Sequence, residues 1–180
     1  MRVLVAYASR YGTTEGIARR IAERLQMAGL QAEAMSVGMA DEACEYDAFV
    51  VGSAAYLGHW RREAVDFVRL NRPALAGVPT WLFSCGPLGR DAVDAKGRDV
   101  RAAAEPDEIE EFRRTIAPRD HQVFFGALDA ATLGTRDRLV RTLPGGRSLL
   151  PDGDFRDWVE IDGWADGIAD ALAPVAVGVR

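Results

Sequence analysis

The sequence predicts an α/β fold built on a doubly wound parallel sheet with helices on both faces. Two observations carry this. Short, mostly apolar runs alternate with amphipathic helical patterns from one end of the chain to the other. The runs stay apolar through their length instead of alternating with polar residues, as strands covered on both faces do. The 180 residues suit a single domain with a sizeable core, carrying an insertion at about residues 130–154.

Val3–Ala8 is rich in β-formers and reads as the first buried strand. Thr14–Ala28 places Ile17, Ile21 and Leu25 at helical spacing, and Gly29 stops it. Gln31–Val37 alternates weakly and fits an outer strand. Ala48–Val51 is the second buried strand, and Arg62–Leu70 a short helix with Ala64, Val65 and Val68 on one face. Pro79–Ser84 is the third buried strand. Pro106–Ile116 is a helix whose early acidic residues, Asp107, Glu108, Glu110 and Glu111, suit the positive end of its dipole. His121–Leu128 is the fourth buried strand. Phe155–Leu172 is the last helix, with a stripe of Phe155, Trp158, Ile161, Trp164 or Ala165, Ile168 and Leu172 ahead of Pro174.

The composition excludes some functions. A net charge of −5 is the wrong sign for a nucleic-acid surface and is also mild for a dedicated acidic electron shuttle. Cys44 and Cys85 show neither metal nor redox spacing and are expected as free thiols, with no metal site, in a reducing compartment. The N-terminus passes straight into a strand-like run, which predicts no signal peptide and a cytoplasmic protein.

In open α/β sheets the ligand lies beyond the carboxyl ends of the strands, so the residues after each strand carry the function. After the first come Ser9, Arg10, Tyr11, Gly12, Thr13 and Thr14. Gly12 permits a tight turn, Ser9, Thr13 and Thr14 bring aliphatic hydroxyls, and the first amides of the next helix point into the same space. That is an anion nest. It lacks the lysine of a nucleotide-triphosphate loop and the glycines of a dinucleotide fingerprint, which favours a phosphomonoester. After the second buried strand come Ser53, Ala54, Ala55, Tyr56, Leu57 and Gly58, then His59 and Trp60. Small residues with loop aromatics suit a flat ring. Packing at a loop–helix junction accounts for Tyr56 and Trp60 equally well. His59 is a candidate proton donor, against the plainer alternative of an unremarkable loop histidine. After the third strand come Ser84, Cys85, Gly86, Pro87, Leu88 and Gly89, where the glycines again permit close backbone approach; Cys85 reads as a small packing residue.

The Ser-x-x-Gly-x-Thr turn, "VGSAAYLGHW" and "SCGPLG" together resemble the flavodoxin family, over nearly the whole chain. "GSAAYLGHW", "GALD" and "DFRDWVEIDGWA" are similar more narrowly to the flavodoxin-domain branch that includes the menaquinone-dependent protoporphyrinogen oxidases. The resemblance implies a five-stranded sheet of order 2-1-3-4-5 and flavin mononucleotide (FMN) as cofactor. It implies Ser9 to Thr14 on the phosphate, and Ser53 to Gly58 and Ser84 to Gly89 on the two sides of the flavin ring. The chain departs from the family at Tyr11, where flavodoxins commonly have a small hydroxyl residue, and at Arg10, which puts a cation beside the loop. If Arg10 reaches the site, it would favour the reduced, anionic flavin. The segment Arg90–Glu105 mixes both signs of charge where the quinone-linked oxidases tend to be basic.

In the insertion, Leu133, Leu139, Val140 and Leu143 alternate with Arg136, Arg138 and Arg141. Such a helix fits an anionic membrane surface through residues 133–143, or simply a solvated face. The expected function is an FMN-dependent oxidoreductase passing electrons from a small substrate to a quinone or other redox partner. A flavodoxin-type single-electron carrier and a non-catalytic flavodoxin-like binding module are the alternatives, and fold alone does not separate them.

Overall fold

The computed structural model describes residues 1–40, 45–89, 91–94, 96–143, 146 and 150–173. Cys44, Arg90 and Pro174 lie outside these residues. The chain runs β1 (Arg2–Ala8), α1 (Thr13–Met27), β2 (Gln31–Ser36), a 3-10 turn (Val37–Met39), β3 (Ala48–Tyr56), β4 (His59–Trp60), α2 (Arg62–Leu70) and α3 (Arg72–Gly77). It continues through β5 (Thr80–Cys85), α4 (Val100–Ala103), α5 (Glu108–Ile116), β6 (Asp120–Phe124), β7 (Ala127–Leu128), α6 (Thr135–Thr142), β8 (Gly153–Asp154) and α7 (Trp158–Leu172).

The main sheet has the order β2-β1-β3-β5-β6, all parallel, with β4 folded back antiparallel on the end of β3. Without the β4 hairpin this is the expected order 2-1-3-4-5. The apolar character of β1 has a direct cause. Val3 and Val5 face α1 and α7, packing with Ile17, Ile21, Leu25, Ile161 and Ile168. Leu4 and Ala6 face the other way, packing with Phe49, Val65, Leu82 and Phe112. Each face of the strand is buried, so neither set of positions is free to be polar. The α1–α7 pair is also clamped across its outer side by two bidentate ion pairs, Arg20 with Asp162 and Arg24 with Asp166.

Four boundaries differ from expectation by two residues or more. The strand expected to end at Val51 runs on to Tyr56, so Ser53, Ala54 and Ala55 are strand residues. Leu57 and Gly58, with φ of +52° and +81°, then make a two-residue hairpin turn to β4. The strand expected to reach Leu128 stops at Phe124, and Ala127–Leu128 pairs instead with Gly153–Asp154 in a separate small sheet. The helix expected from Pro106 starts at Glu108. The last helix starts at Trp158, capped by the Asp157 carboxylate, so Phe155 precedes it.

Candidate functional site

The carboxyl ends of β1, β3 and β5, the segment after β6 and the insertion meet around one cleft. Ser9, Arg10, Tyr11, Thr13 and Thr14 line one end of it; Ala54, Ala55 and Tyr56 line a side, and Cys85, Gly86 and Leu88 another. Gly126, Ala127, Leu128, Leu133, Asp137 and Leu150 complete the lining.

At the β1 end the loop is built to hold an anion. Gly12 takes φ +83° and stands at the N-cap of α1, where no side chain caps the helix. The Ser9 hydroxyl accepts from the Gly12 N–H at 3.1 Å and fixes the turn. Thr13 donates to the Ala127 carbonyl at 2.7 Å, tying the loop to β7. Thr14 is fully buried, and its hydroxyl lies beside the Cys85 thiol without a well-formed hydrogen bond. A buried hydroxyl without a partner is costly, and a phosphate oxygen at the helix N-terminus would satisfy it. The residues present therefore fit a phosphomonoester.

Elsewhere the cleft is apolar, and its thiol and phenols stay neutral at ordinary pH. Burial pushes the Cys85 thiol and the Tyr56 phenol each up to about 12. Burial and the hydrogen bond to Asp137 also raise Tyr11. Gly86 has no side chain for good reason, since a Cβ there would stand 3.3 Å from that of Ala55.

Not every residue expected at the site lines it. Ser53 is fully buried, donating to the Ala54 carbonyl at 2.9 Å and accepting from the Arg61 N–H at 3.1 Å. Ser84 is fully buried too, bonded to the Trp60 indole and to His121. Leu57 and Gly58 stand in the hairpin turn, with the Leu57 side chain out in solvent. Gly12, Pro87 and Gly89 are absent from the lining as well: the Pro87 carbonyl accepts from the Gly126 N–H, and Gly89 takes φ +126° in the loop beside it. His59, the candidate proton donor, is exposed beside the start of α5, its Nδ1 3.0 Å from Glu108 and its Nε2 3.9 Å from Asp107. It is absent from the cleft lining. Arg10 does reach the cleft, but it stands 3.4 Å from the Asp137 carboxylate.

Sequence reasoning missed Asp137 and the inward turn of Leu133 and Leu150. The available signal for Asp137 was its sign, an acid inside an otherwise basic stretch. Among the described residues no group of three or more His, Cys, Asp or Glu could hold a metal ion. No described helix is long and apolar enough to cross a membrane.

A phosphate-ready turn after the first strand, and an apolar cleft between the ends of the strands that follow, define an α/β domain that holds a flat phosphorylated cofactor at the carboxyl edge of its sheet. The family model described as Flavodoxin domain matches residues 4–142, and the chain belongs to that family. FMN is accordingly its cofactor, and the molecule is a flavodoxin-type redox flavoprotein. Protoporphyrinogen IX dehydrogenase [quinone] of Escherichia coli (strain K12) is 28% identical over 92 residues, which are 50% of this chain and 51% of that protein. The chain thus matches about half the length of this curated relative. A cysteine-to-serine mutant of flavodoxin from Pseudomonas aeruginosa superposes with a TM-score of 0.58 at 20% identity, covering 96% of this chain and 99% of that one. The Flv1 flavodiiron core from Synechocystis sp. PCC6803 gives 0.62 at 15% identity, over 96% of this chain and 36% of that one. At such identities these two show the shared fold.

Proposed function

We propose that this domain is an FMN-dependent oxidoreductase that moves electrons from a small substrate to a quinone-type acceptor. The observation that carries the proposal is the lining contributed by the insertion. Leu133 and Leu150 join Leu88 and Leu128 on the same cleft as the phosphate loop. A flat apolar molecule such as a quinone ring meets leucine there in place of water. The name of the Escherichia coli relative, matched over about half its length, includes a quinone, which supports the same acceptor class.

FMN supplies the electron-accepting chemistry when bound. The protein's own groups hold and shield it. Ser9, Thr13 and the first turn of α1 shape the phosphate end, and Ala54, Ala55 and Gly86 keep the walls flat. The Cys85 and Tyr56 protons are retained at neutral pH, so neither group serves as a base. Protons exchanged during turnover come from solvent at the cleft mouth. Leu139 of α6 and Leu143, the residue just past it, are exposed to solvent. With Arg141 on the same helix they form the contact with an anionic bilayer in which a lipid quinone resides.

The test is anaerobic. The protein is titrated with FMN, photoreduced in steps and mixed with a soluble naphthoquinone. Reduction in one two-electron stage followed by rapid reoxidation is expected, with porphyrinogens then tried as donors. Two resolved one-electron stages and no reoxidation by quinone point to a carrier between protein partners and overturn the proposal. Sedimentation with vesicles containing phosphatidylserine checks the membrane contact, which a Leu139→Ser, Leu143→Ser variant should lose.

A further inference from the structure

We infer that Asp137, brought to the cleft by α6, is a specificity-determining residue of the cofactor site: its carboxylate competes with the cofactor phosphate for Arg10, and so limits the preference for a phosphorylated flavin over an unphosphorylated one. The inference rests on FMN being the cofactor.

The geometry is a three-way contact at the loop. One oxygen of Asp137 accepts from the Tyr11 hydroxyl at 2.5 Å and stands 3.4 Å from an Arg10 nitrogen. The Gly134 N–H points to the Tyr11 hydroxyl at 3.4 Å, so the start of α6 is tied to the loop at two places. The Arg10 guanidinium is held over the Tyr11 ring, 5.0 Å from its centre, and 6.0 Å from that of Tyr56. The long Tyr11 side chain thus carries its hydroxyl out to the insertion instead of turning it into the loop.

Charge gives the direction of the effect. Among the described residues that line the cleft, Arg10 is the only cation and Asp137 the only carboxylate. A phosphomonoester brings between one and two further negative charges to the same end. One guanidinium then faces two anions. Its donors can serve both, but its single positive charge is shared between them, and the carboxylate also repels the phosphate directly. Riboflavin, which shares the ring and lacks the phosphate, is free of this competition. The ratio of riboflavin to FMN dissociation constants isolates the effect from anything that alters the ring site.

The experiment measures both dissociation constants by fluorescence titration for the wild type, Asp137→Asn and Tyr11→Phe. Asparagine keeps an acceptor for Tyr11 and removes only the charge. It should raise the ratio roughly two- to fivefold, the size of a partly exposed charge interaction. The rise should shrink between about 0.05 M and about 0.5 M salt, as screening requires. Tyr11→Phe keeps the carboxylate and should leave the ratio unchanged. An unchanged or lower ratio in Asp137→Asn overturns the inference. So does an equal rise in Tyr11→Phe, which would make the contact a mechanical latch. Wild-type protein that binds neither flavin overturns the cofactor assignment itself, a failure visible before any substitution is made.

Discussion

Replacing Ser84 with alanine should destabilise the protein far more than loss of one hydroxyl suggests. Ser84 is a buried link in a chain of hydrogen bonds that runs from Trp60 out to the surface pair Glu105 and Arg113. The Trp60 indole N–H donates to its oxygen at 2.7 Å, and His121 Nε2 lies 2.8 Å from the same oxygen. On the far side of the ring, Nδ1 lies 3.2 Å from Glu105, which accepts both Arg113 amino groups at 2.7 Å. One proton arrangement satisfies everything. Glu105 can only accept, so the proton sits on Nδ1, and Nε2 accepts from Ser84. Ser84→Ala leaves two buried groups unpaired, the Trp60 N–H and Nε2. At about 1–3 kcal/mol for each orphaned group the loss is about 2–6 kcal/mol, a large share of a typical stability of about 5–15 kcal/mol. Urea unfolding followed by tryptophan fluorescence at neutral pH measures it. A loss below about 1 kcal/mol with an unchanged slope would refute the proton arrangement, because it would mean water or another group reaches these atoms. The same chain sets a pH dependence. Burial, outweighing the neighbouring carboxylate, holds His121 below its ordinary value of 6.5, and Arg113 holds Glu105 below 4.5. Below about 6.5 the unfolded chain takes up a proton at His121 that the folded state resists. Stability is therefore full above that point and falls as pH drops towards the folded value, with Glu105 adding to the loss once pH falls below its ordinary value. His121→Gln should flatten the upper part of this fall.

Three further outcomes follow from single positions. Gly52→Ala should cost about 3 kcal/mol or more by thermal or urea unfolding, since its Cβ would lie 1.9 Å from an edge carbon of the fully buried Phe83 ring on the neighbouring strand; a near-neutral result would show that the ring has room to turn aside. Thr14→Val should leave the flavin-free protein as stable as before or more so, because it removes a buried hydroxyl without a partner, yet weaken FMN about ten- to hundredfold through a lost bond to a charged group; equal FMN affinity would remove Thr14 from the phosphate site. Arg10→Ala should weaken FMN and lower its midpoint potential by about 10–20 mV, the two-electron equivalent of a partly screened charge already shared with Asp137; an unchanged potential in a spectroelectrochemical titration would remove the electrostatic role of Arg10.

The strands of the sheet were legible because both faces of β1, β3 and β5 are buried, which writes a continuous apolar run into the sequence; their order was legible only through the resemblance to flavodoxins. The strand ends were not, and each miss has a cause. Gly52, Ser53, Ala54 and Ala55 are poor β-formers, so propensity ends the strand at Val51. In the structure Gly52 sits beneath the Phe83 ring, and Ser53 pairs with both Ala8 and Ser84, so tertiary contacts carry the strand beyond that point. The opposite error occurs after Phe124. Ala127 and Leu128 are apolar because they line the cleft and pair with Asp154 and Gly153, a partnership across the whole insertion that is invisible to local periodicity. The histidines show the same limit. His59, in a loop, drew attention as a site candidate, while His121, inside an apolar run, did not. His121 is the buried one, and its partners Ser84 and Glu105 come from elements 37 and 16 residues away in sequence.

The insertion shows why a helical pattern alone does not assign a role. Residues 133–143 carry leucines and arginines at spacings that fit one apolar and one basic face. The folded segment splits the leucines instead: Leu133, ahead of the helix, is buried in the cleft, whereas Leu139 and Leu143 stay exposed. The one described residue of the helix that lines the cleft is Asp137, the acid that breaks the basic pattern. Amphipathic periodicity describes how a helix partitions between oil and water. It has no means of anticipating a charge placed against a single cation on another element, because that cation, Arg10, lies in the loop after the first strand, most of the chain away. A residue of the wrong sign in a segment that packs on a phosphate loop is therefore the position to test first, ahead of the leucines that dominate the pattern.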